Sequence, residues 1–268
     1  MDGERRTVTA DSYFTRLDEH RFTPSEATGG AWNTAEQHIS PMNGLIVHEV
    51  ERFCAQRESD GMAIGRISTD ILGVLGMEPF ELTVEVIRPG RTIELLEAVV
   101  VSAGRPAVRA RVWRSTAQDT ARIAGGEGEP LPSPDRLAPS RLDDVWPGGF
   151  IDSIEVRPIG LVEPGRAAAW VRSKASLVEG EAASDLARLM GLVDTANGMC
   201  VRESVDQWLF PNLDLALHLF RQPEGGWLGL DTTVVFGPAA HGVTMSALHD
   251  RKGHFGQCLQ HLTIRPRG

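Results

Sequence analysis

Cysteine, basic charge and long apolar runs are all scarce in this sequence. It has three cysteines, Cys54, Cys200 and Cys258, which are widely spaced and form no CxxC pair. This number and spacing exclude a disulfide framework and a thiolate metal site. No stretch approaches the roughly 18 consecutive apolar residues of a membrane span, and the opening MDGERRTVTADSYF lacks the apolar core of a secretory signal. We therefore expect a cytoplasmic protein with no membrane partner.

Negative charge exceeds positive charge. The chain carries 36 acidic and 27 basic residues, for a formal net charge of -9. That balance argues against nucleic acid as a partner, because binding to phosphate backbones depends on clustered Lys and Arg. There is no GxSxG, no HExxH and no Cys with a His beside it. Four histidines near the C-terminus match no metal-ligand spacing and favour solvated strand edges, so we expect no metal and no cofactor. They are His241, His249, His254 and His261.

A segment rich in Pro, Gly and charge divides the chain. Residues 119–148 contain no sustained apolar period, which is typical of a linker. On either side, residues 1–118 and 149–268 each contain one helical pattern and a series of runs rich in β-branched residues. This repetition predicts an internal duplication. The pattern resemblance of EVIRPGRTIELLEAVVV to LHLFRQPEGGWLGLDTTVV supports it.

Each unit is predicted to pair one long helix with an antiparallel sheet. In the first unit the helix covers PMNGLIVHEVERFCAQR, with Pro41 as its first residue, because Pro is favoured at that position. In the second unit it covers residues 184–198, with Ser184 as the N-cap. A sheet beside one helix must bury one face against it. The fold class is therefore α+β.

Asp194 stands out within the second helix. At about 100° per residue, it lies roughly 80° from Leu186, at the shoulder of the apolar stripe. A carboxylate there is a surface group, a hydrogen-bond partner of nearby backbone, or a group at the lip of a pocket. Asn197 lies nearer the centre of the stripe and is interpreted as a hydrogen-bonded amide at the helix end, with a role beside Asp194 as the alternative.

The order of these patterns resembles a known family. The stretches are GRISTDIL, FELTVEVIRPGRTIELLEAVVVSAGRPAVRARVW, LVDTANG, FPNLDLALHLFR and HDRKGHFGQCLQHLTIRPR. Together they are similar to acyl-CoA thioesterases of the thioesterase II type, and the similarity covers nearly the whole chain. The resemblance implies two tandem hotdog units, each a long helix wrapped by an antiparallel sheet. It also implies acyl-CoA as the substrate, and hydrolysis to free fatty acid and CoA.

The resemblance also implies a polar site in the second unit. The family has an Asp on the central helix, a Thr on the next strand and a Gln on the last strand, which fall here on Asp194, Asn212 and Gln260. Asn212 departs from the family pattern. Judged from the residues alone, Asn212 after Pro211 is equally consistent with a plain turn residue, and Gln260 with a polar strand position.

These side chains could activate a water. Burial would raise the pKa of Asp194, while amide donors would lower it by bonding to the charged form. An ionised Asp with two amides can hold a water for attack on a thioester. Direct attack by Asp194 to give an anhydride is the alternative mechanism. A non-catalytic acyl-CoA-binding protein is one alternative function. The other is a hotdog hydratase or dehydratase, which usually needs an Asp and a His acting together, and no such pair stands at the expected place in the sequence.

Further candidates have weaker support. Eight arginines could meet CoA phosphates, namely Arg88, Arg91, Arg105, Arg109, Arg111, Arg114, Arg221 and Arg251. Most are expected on solvated faces. Arg111 is aligned with Gln260, so the first unit is expected to have lost its site. His48 and Glu49 form an acid-base pair there, interpreted as salt-bridged or exposed. Long exposed strands predict a homodimer or a higher homo-oligomer.

Overall fold

The computed structural model describes residues 10–57, 61–140 and 145–268. Thirteen of the fifteen strands in this part form one sheet, and the remaining two, β10 and β15, pair with each other. The strands of the first half are β1 Ser12–Arg16, β2 Arg21–Pro24, β3 Met62–Ile71, β4 Phe80–Arg88, β5 Ile93–Ser102 and β6 Arg105–Thr116. Those of the second half are β7 Ile154–Glu163, β8 Arg166–Ser173, β9 Ser176–Val178, β10 Trp208–Leu209, β11 Asp214–Leu219, β12 Leu228–Phe236, β13 His241–Asp250, β14 Gly253–Thr263 and β15 Arg265–Pro266.

Four α-helices accompany the sheet. They are α1 Ile39–Ala55, α2 Gly149–Asp152, α3 Asp185–Met190 and α4 Thr195–Met199, with short 3-10 turns at Glu26–Thr28, Ala121–Ile123 and Pro134–Arg136. None of the described helices is both long and apolar enough to cross a bilayer. The α+β class therefore matches the expectation from the sequence.

The two halves of the sheet have the same strand order. The order is β1-β2-β4-β5-β6-β3 in the first half and β7-β8-β12-β13-β14-β11 in the second, which is the same permutation of six strands. The halves join where β3 pairs antiparallel with β11. The match of EVIRPGRTIELLEAVVV to LHLFRQPEGGWLGLDTTVV is therefore wrong by one strand. The first stretch covers β4 and β5, whose counterparts in this order are β12 and β13.

The ends of the sheet come close together. Strand β9 pairs parallel with β1, although β8, only two residues before β9, lies at the other end of the sheet. The Tyr13 hydroxyl of β1 also lies 2.8 Å from the Ser153 hydroxyl and 2.9 Å from that of Ser173. The sheet therefore curls around the helices. The β1-β2 hairpin itself was not predicted from the sequence.

Helix α1 forms the centre of the first half. All of its residues from Ile39 to Val50 are buried, polar side chains included, so it is enclosed rather than amphipathic. The helix begins at Ile39, and Pro41 is its third residue, so the predicted start was late by two. His38 is the N-cap, and its Nδ1 accepts the Ser40 N–H at 3.1 Å.

The second predicted helix is broken. Residues 184–198 form two short helices, α3 and α4, so the expectation of one long helix in each unit is wrong for the second unit. Between them the backbone makes 3-10-type bonds, from the Leu192 N–H to Leu189 O and from the Thr195 N–H to Leu192 O. A helical wheel drawn at 100° per residue therefore misplaces Asp194.

Helices α1 and α3 cross at two glycines. A Cβ added to Gly44 would lie 2.8 Å from the Ala187 carbonyl oxygen and 3.0 Å from the Gly191 Cα. Only glycine permits this approach of two backbones. The contact fixes the two halves of the core against each other.

The predicted linker follows the surface of the second half. Trp170 Nε1 donates to the Pro132 carbonyl at 2.7 Å, and the Arg157 guanidinium donates to the Pro134 carbonyl at 2.8 Å. This part of the segment is anchored at defined points rather than free.

Candidate functional site

A cavity of about 400 Å³ lies between the two halves. The first half contributes residues near 30–39 and 71–75, and the second contributes residues near 194–198 and 211–213. Its apolar wall includes Trp32, Ile39, Ile71, Leu75, Trp146 and Ile151, and its polar wall includes His38, Asp194, Asn212 and Arg265. An apolar pocket with a few convergent polar groups is the usual form of a small-molecule site.

Asp194 is held by the two amides named from the sequence. Its Oδ1 accepts Nδ2–H of Asn212 at 2.7 Å and Nε2–H of Gln260 at 2.7 Å. The Asp194 Oδ2 accepts no hydrogen bond from the described residues. The structure thus brings all three residues together, with one carboxylate oxygen anchored and the other free.

Three separate elements position this cluster. Asp194 is the N-cap of α4, yet its side chain makes no capping hydrogen bond and turns toward the cavity. Asn212 precedes β11 at an isolated bridge to Leu262, and its Nδ2 also lies 3.3 Å from the Asp214 carbonyl. Gln260 points inward from β14, where Gln257 and Leu259 are exposed, so this strand alternates cleanly.

Asp194 is buried, with 7% of its side chain exposed. The sequence left three interpretations of Asp194 open. Its burial excludes a surface group, and the lack of a capping hydrogen bond excludes a partner of the nearby backbone. Burial raises the pKa of Asp194 to about 7, and the hydrogen bond from Asn212 opposes the shift. A carboxyl group with this pKa can accept a proton and release it near neutral pH.

His38 was missed by sequence reasoning. Its Nε2 lies 3.8 Å from the Asp194 Oδ2, and 12% of its side chain is exposed. The two residues are 156 positions apart and come from opposite halves, so no local spacing links them. The only signal in the sequence was a His placed just before the predicted first helix. The structure therefore brings a His next to Asp194 from a part of the sequence where no such pair was expected.

Burial lowers the pKa of His38 to about 3, so its imidazole is neutral at physiological pH. The ring stacks on Phe150, with centroids 4.3 Å apart and planes 25° apart. The Nε2 to Oδ2 distance is too long for a direct hydrogen bond. His38 and Asp194 therefore lie side by side in the cavity wall without forming an ion pair.

The arginines proposed from the sequence do not line this cavity. Arg114 bonds to Glu94, Arg221 to Asp250 and Arg251 to Asp135, which are structural ion pairs. Arg265, which was not singled out, lies in the cavity wall and is exposed. It is the guanidinium group that the cavity presents to an anionic ligand.

Arg111 does not occupy the place of Gln260. Its side chain points to the outer face of β6, beside Glu97, whereas its neighbours Ala110 and Val112 point inward. A shift of one residue along a strand moves a side chain to the opposite face, and the sequence alignment contains this error. The inward positions of the first half are apolar here, so that half holds no matching amide at this position.

Two further expectations concern Asn197 and the pair His48 and Glu49. Asn197 donates from Nδ2 to the Phe210 carbonyl at 3.0 Å, which is the role of a hydrogen-bonded amide at the helix end. His48 bonds to Glu181 at 2.9 Å, and Glu49 pairs with Arg16.

His48, Glu49 and Glu181 form the one cluster of His, Cys, Asp or Glu side chains within the described ranges that is close enough together to hold a metal ion. The Arg16 guanidinium bridges Glu49 and Glu181 there. This cationic bridge makes the cluster an ion-pair network that leaves little room for a metal.

The sequence and the fold both match known proteins. Residues 28–115 match the family model of the acyl-CoA thioesterase N-terminal domain, and residues 132–264 match that of the C-terminal domain. No protein of curated function matches the sequence at a significant level.

Similar folds occur among solved structures. A conserved protein of unknown function with a hotdog fold from Alicyclobacillus acidocaldarius has a TM-score of 0.75 at 11% identity, covering 96% of this chain and 98% of the other. A protein provisionally described as a thioesterase from Novosphingobium aromaticivorans has a TM-score of 0.72 at 20% identity, covering 94% and 98%. The acyl-CoA thioesterase II TesB2 of Mycobacterium marinum has a TM-score of 0.64 at 15% identity, covering 95% and 96%. The fold is therefore a hotdog fold, and since the two family models together span most of its length, the chain belongs to the acyl-CoA thioesterase family.

Proposed function

We propose that this enzyme hydrolyses acyl-CoA thioesters with a water activated by Asp194. The observation that supports this most directly is the state of the Asp194 carboxylate in the cavity. Two amides fix its Oδ1, while its Oδ2 is left without a hydrogen bond from the described residues. A base held in this way is oriented before the substrate arrives, which lowers the cost of reaching the reactive geometry.

The reaction proceeds in two steps. Asp194 Oδ2 takes a proton from water as the water oxygen bonds to the acyl carbon, and the carbonyl π electrons move to the oxygen. The tetrahedral intermediate then re-forms its carbonyl and breaks the carbon–sulfur bond. The proton on Asp194 passes to the departing thiolate, which yields a carboxylic acid and CoA and returns Asp194 to its ionised form.

Asn212 and Gln260 act on Asp194 rather than on the substrate. Gln260 is 1% exposed and does not line the cavity. The Nδ2 of Asn212 lies within hydrogen-bond distance of both Asp194 Oδ1 and the Asp214 carbonyl, so both of its N–H groups are engaged. The asparagine here therefore serves as a donor that holds the base.

The cavity walls suggest how the substrate lies. The apolar side chains around Trp32 and Trp146 suit an acyl chain, and Arg265 suits a phosphate of CoA, since guanidinium groups bind phosphate oxygens well. Under this assignment, Arg265→Ala would raise KM for acyl-CoA with a small effect on kcat.

The first test is release of free CoA thiol from acyl-CoAs of increasing chain length. The wild-type protein should release thiol, with a rate that rises with pH through about 7 as Asp194 ionises. Asp194→Asn keeps the shape and should lose at least 100-fold in kcat, within the range for a positioned acid-base group. Asp231→Asn, on β12 outside this cavity, is the matched control and should keep full rate. Full activity in a folded Asp194→Asn protein would refute the proposal.

Oxygen-18 labelling separates the two mechanisms. In a single turnover in labelled water, attack by water places the label in the fatty acid only. An anhydride on Asp194 that water opens at the aspartate carbon would instead place it in the aspartate carboxylate. We expect the label in the product acid.

The proximity of His38 and Asp194 makes a hydratase the second candidate. A hydratase that uses the Asp and the His together needs a histidine that can gain a proton near neutral pH, and the low pKa of His38 disfavours this role. Crotonyl-CoA tests it, because hydration consumes the enoyl group without releasing thiol. A third outcome, tight acyl-CoA binding with neither product, would favour a binding protein.

We also propose that the chain arose by duplication of a single hotdog unit, with boundaries near residues 118 and 149. The identical strand order of the two halves supports this. A cytoplasmic location and a homo-oligomeric state remain predictions from the sequence. Analytical ultracentrifugation would test the oligomer.

A further inference from the structure

The proposed mechanism needs a hydrogen-bond donor for the oxyanion. Removing a donor of this kind typically lowers kcat by 100- to 1000-fold. The amide of Asn212 cannot serve, because its N–H groups already bond to Asp194 and to a backbone carbonyl. The amide of Gln260 cannot serve either, because Gln260 does not line the cavity. The donor must therefore come from another part of the wall.

We infer that His38, from the N-terminal half, is the residue that donates this hydrogen bond, through its Nε2–H. This inference rests on the proposed hydrolysis. Its ring lines the same cavity as Asp194, and Nε2 lies 3.8 Å from the oxygen that would activate the water. The two groups lie side by side in the wall, so a water bound to Asp194 Oδ2 and a thioester carbonyl oxygen bound to His38 Nε2–H would be neighbours in the cavity.

The hydrogen bonds of His38 fix where its proton lies. Nδ1 accepts the backbone N–H of Ser40 at 3.1 Å, so in the neutral ring the proton is on Nε2. Nε2 has no hydrogen-bond partner among the described residues and is free to donate to a ligand. The tautomer is therefore set by the N-terminus of α1 itself.

Packing holds the ring in this orientation. His38 stacks on Phe150 of α2, and its backbone N–H donates to the Thr28 carbonyl at 2.7 Å. A neutral donor in a dry wall stabilises a developing negative charge without gaining or losing its own proton. The position next to the N-terminus of the 17-residue helix α1 adds a favourable dipole for the same charge.

The two halves then supply different parts of one site. The second half holds the base, and the first half supplies the donor and part of the apolar wall. Under this division the first half is needed for the donor, although the base Asp194 comes from the second half.

Variants at position 38 separate donation from structure. His38→Asn retains an oxygen that can cap the Ser40 N–H but is too short to place an N–H at the Nε2 position, whereas His38→Gln carries an amide with longer reach. We expect kcat to fall by 100-fold or more in His38→Asn, with part of that loss restored in His38→Gln and with KM changed by less than a few fold. Circular dichroism should show the fold of the wild type in both.

The pH profile gives an independent readout. Because His38 stays neutral, replacing it should lower kcat by the same factor at every pH. The increase of kcat with pH through about 7, which reports the ionisation of Asp194, should remain. A shifted or flattened profile would assign proton transfer to His38 and overturn the donor role.

A spectroscopic measurement tests the contact directly. In the Asp194→Asn background, the infrared carbonyl stretch of a bound carbon-13-labelled thioester should lie at lower frequency than in solution, and His38→Asn should remove most of that shift. An unchanged stretch, or equal turnover in wild-type and His38→Asn proteins, would show that backbone N–H groups at α1 suffice. If the wild type itself released no thiol, the proposed hydrolysis would fail first.

Discussion

At the scale of single residues, burial of Asp194 lowers the stability of the fold when its carboxyl group is ionised. The proposed role of Asp194 as a base gives a reason for this burial. The shift of its pKa from 3.8 to about 7 means that the folded protein holds this carboxyl in its protonated form more tightly than the unfolded chain does. The corresponding stability is fully present below about pH 3.8 and is lost as pH rises through about 7. Three pKa units correspond to about 4 kcal/mol.

Asp194→Asn should therefore stabilise the fold at high pH. We expect its free energy of unfolding in urea to exceed that of the wild type at pH 8, by an amount approaching about 4 kcal/mol, and the gap to narrow toward pH 4. Asp231→Asn controls for the loss of a carboxylate elsewhere. A gap that stays constant with pH would mean that Asp194 ionises as freely in the fold as in the unfolded chain.

Trp146 lies between two cavities. Its Nε1 donates to the Gly198 carbonyl at 2.8 Å, and its ring packs edge-on against Trp32 at 4.7 Å. Trp146 and Gly198 line both the main cavity and a second cavity of about 480 Å³. The indole thus stands between the two spaces.

Trp146→Ala should join the cavities and favour longer chains. Each extra buried methylene contributes ~0.8 kcal/mol, or about fourfold in kcat/KM, until the second cavity is filled. The measurement is kcat/KM across the acyl-CoA series. Trp113→Ala, on β6 away from the main cavity, should leave the chain-length optimum unchanged. An unchanged optimum in Trp146→Ala would mean that the acyl chain takes another path.

Single residues also show what a sequence can predict about a site. Asp194, Asn212 and Gln260 could be named from the resemblance to acyl-CoA thioesterases, and the structure brings both amides within hydrogen-bond distance of Asp194. His38 could not be named, because it lies on the other half of the chain from Asp194. Arg265 was missed for a similar reason, since it follows the last long strand and lines the cavity only once β14 is placed.

At the scale of secondary structure, strands were easier to predict than the second helix. Runs rich in β-branched residues predicted a series of strands in each half, and nine of the described strands have eight or more residues. Residues 184–198 have a helical apolar period and no proline, so nothing local predicts a break at residues 191–194. Gly191 is a weak helix former in this segment. Its backbone packs closely against Gly44 of α1, a contact that the local sequence does not show.

That contact yields a prediction about packing. Gly44→Ala would place a methyl group against the backbone of α3 and should lower the free energy of unfolding by about 1–3 kcal/mol, as overpacking usually does. Gly191→Ala is the matched control, because a Cβ there meets its nearest atom, the Arg188 carbonyl oxygen, at 3.3 Å. Gly191→Ala should lower the free energy of unfolding by less than Gly44→Ala does. Equal melting temperatures for Gly44→Ala and wild type would show that the helices separate freely.

The same glycines relate the two halves. If Gly44 and Gly191 occupy equivalent places, then the counterpart of Asp194, three residues on, is Val47, which is fully buried. An apolar residue in that place agrees with a single site per chain. The first half has the glycine contact between the helices but has no carboxylate at the place of Asp194.

At the scale of the whole molecule, the junction of β3 and β11 makes the halves interdependent. Residues Arg66 to Asp70 pair with residues of β11, so each half covers a sheet edge of the other. The oligomer was predicted from edge or face contacts of exposed strands. Because β3 and β11 pair with each other, neither offers a free edge for such a contact.

Cutting the connection between the halves tests this interdependence. A protease site inserted between Gly125 and Gly126, which are exposed, allows the folded chain to be cleaved after assembly. The β3–β11 ladder, the α1–α3 contact and the pairing of β9 with β1 all cross between halves, so the cleaved protein should stay associated and keep most of its thiol release.

Residues 127–268 expressed alone provide the comparison. This fragment contains Asp194, Asn212 and Gln260 but lacks His38 and the wall from residues 30–39 and 71–75. It also exposes the β11 edge and the α3 surface that α1 covers, so we expect a poorly folded, inactive protein. Thiol release by this fragment at the wild-type rate would mean that the second half holds a complete site. Activity in the cleaved chain but not in the fragment would place the functional unit at the interface of the two halves.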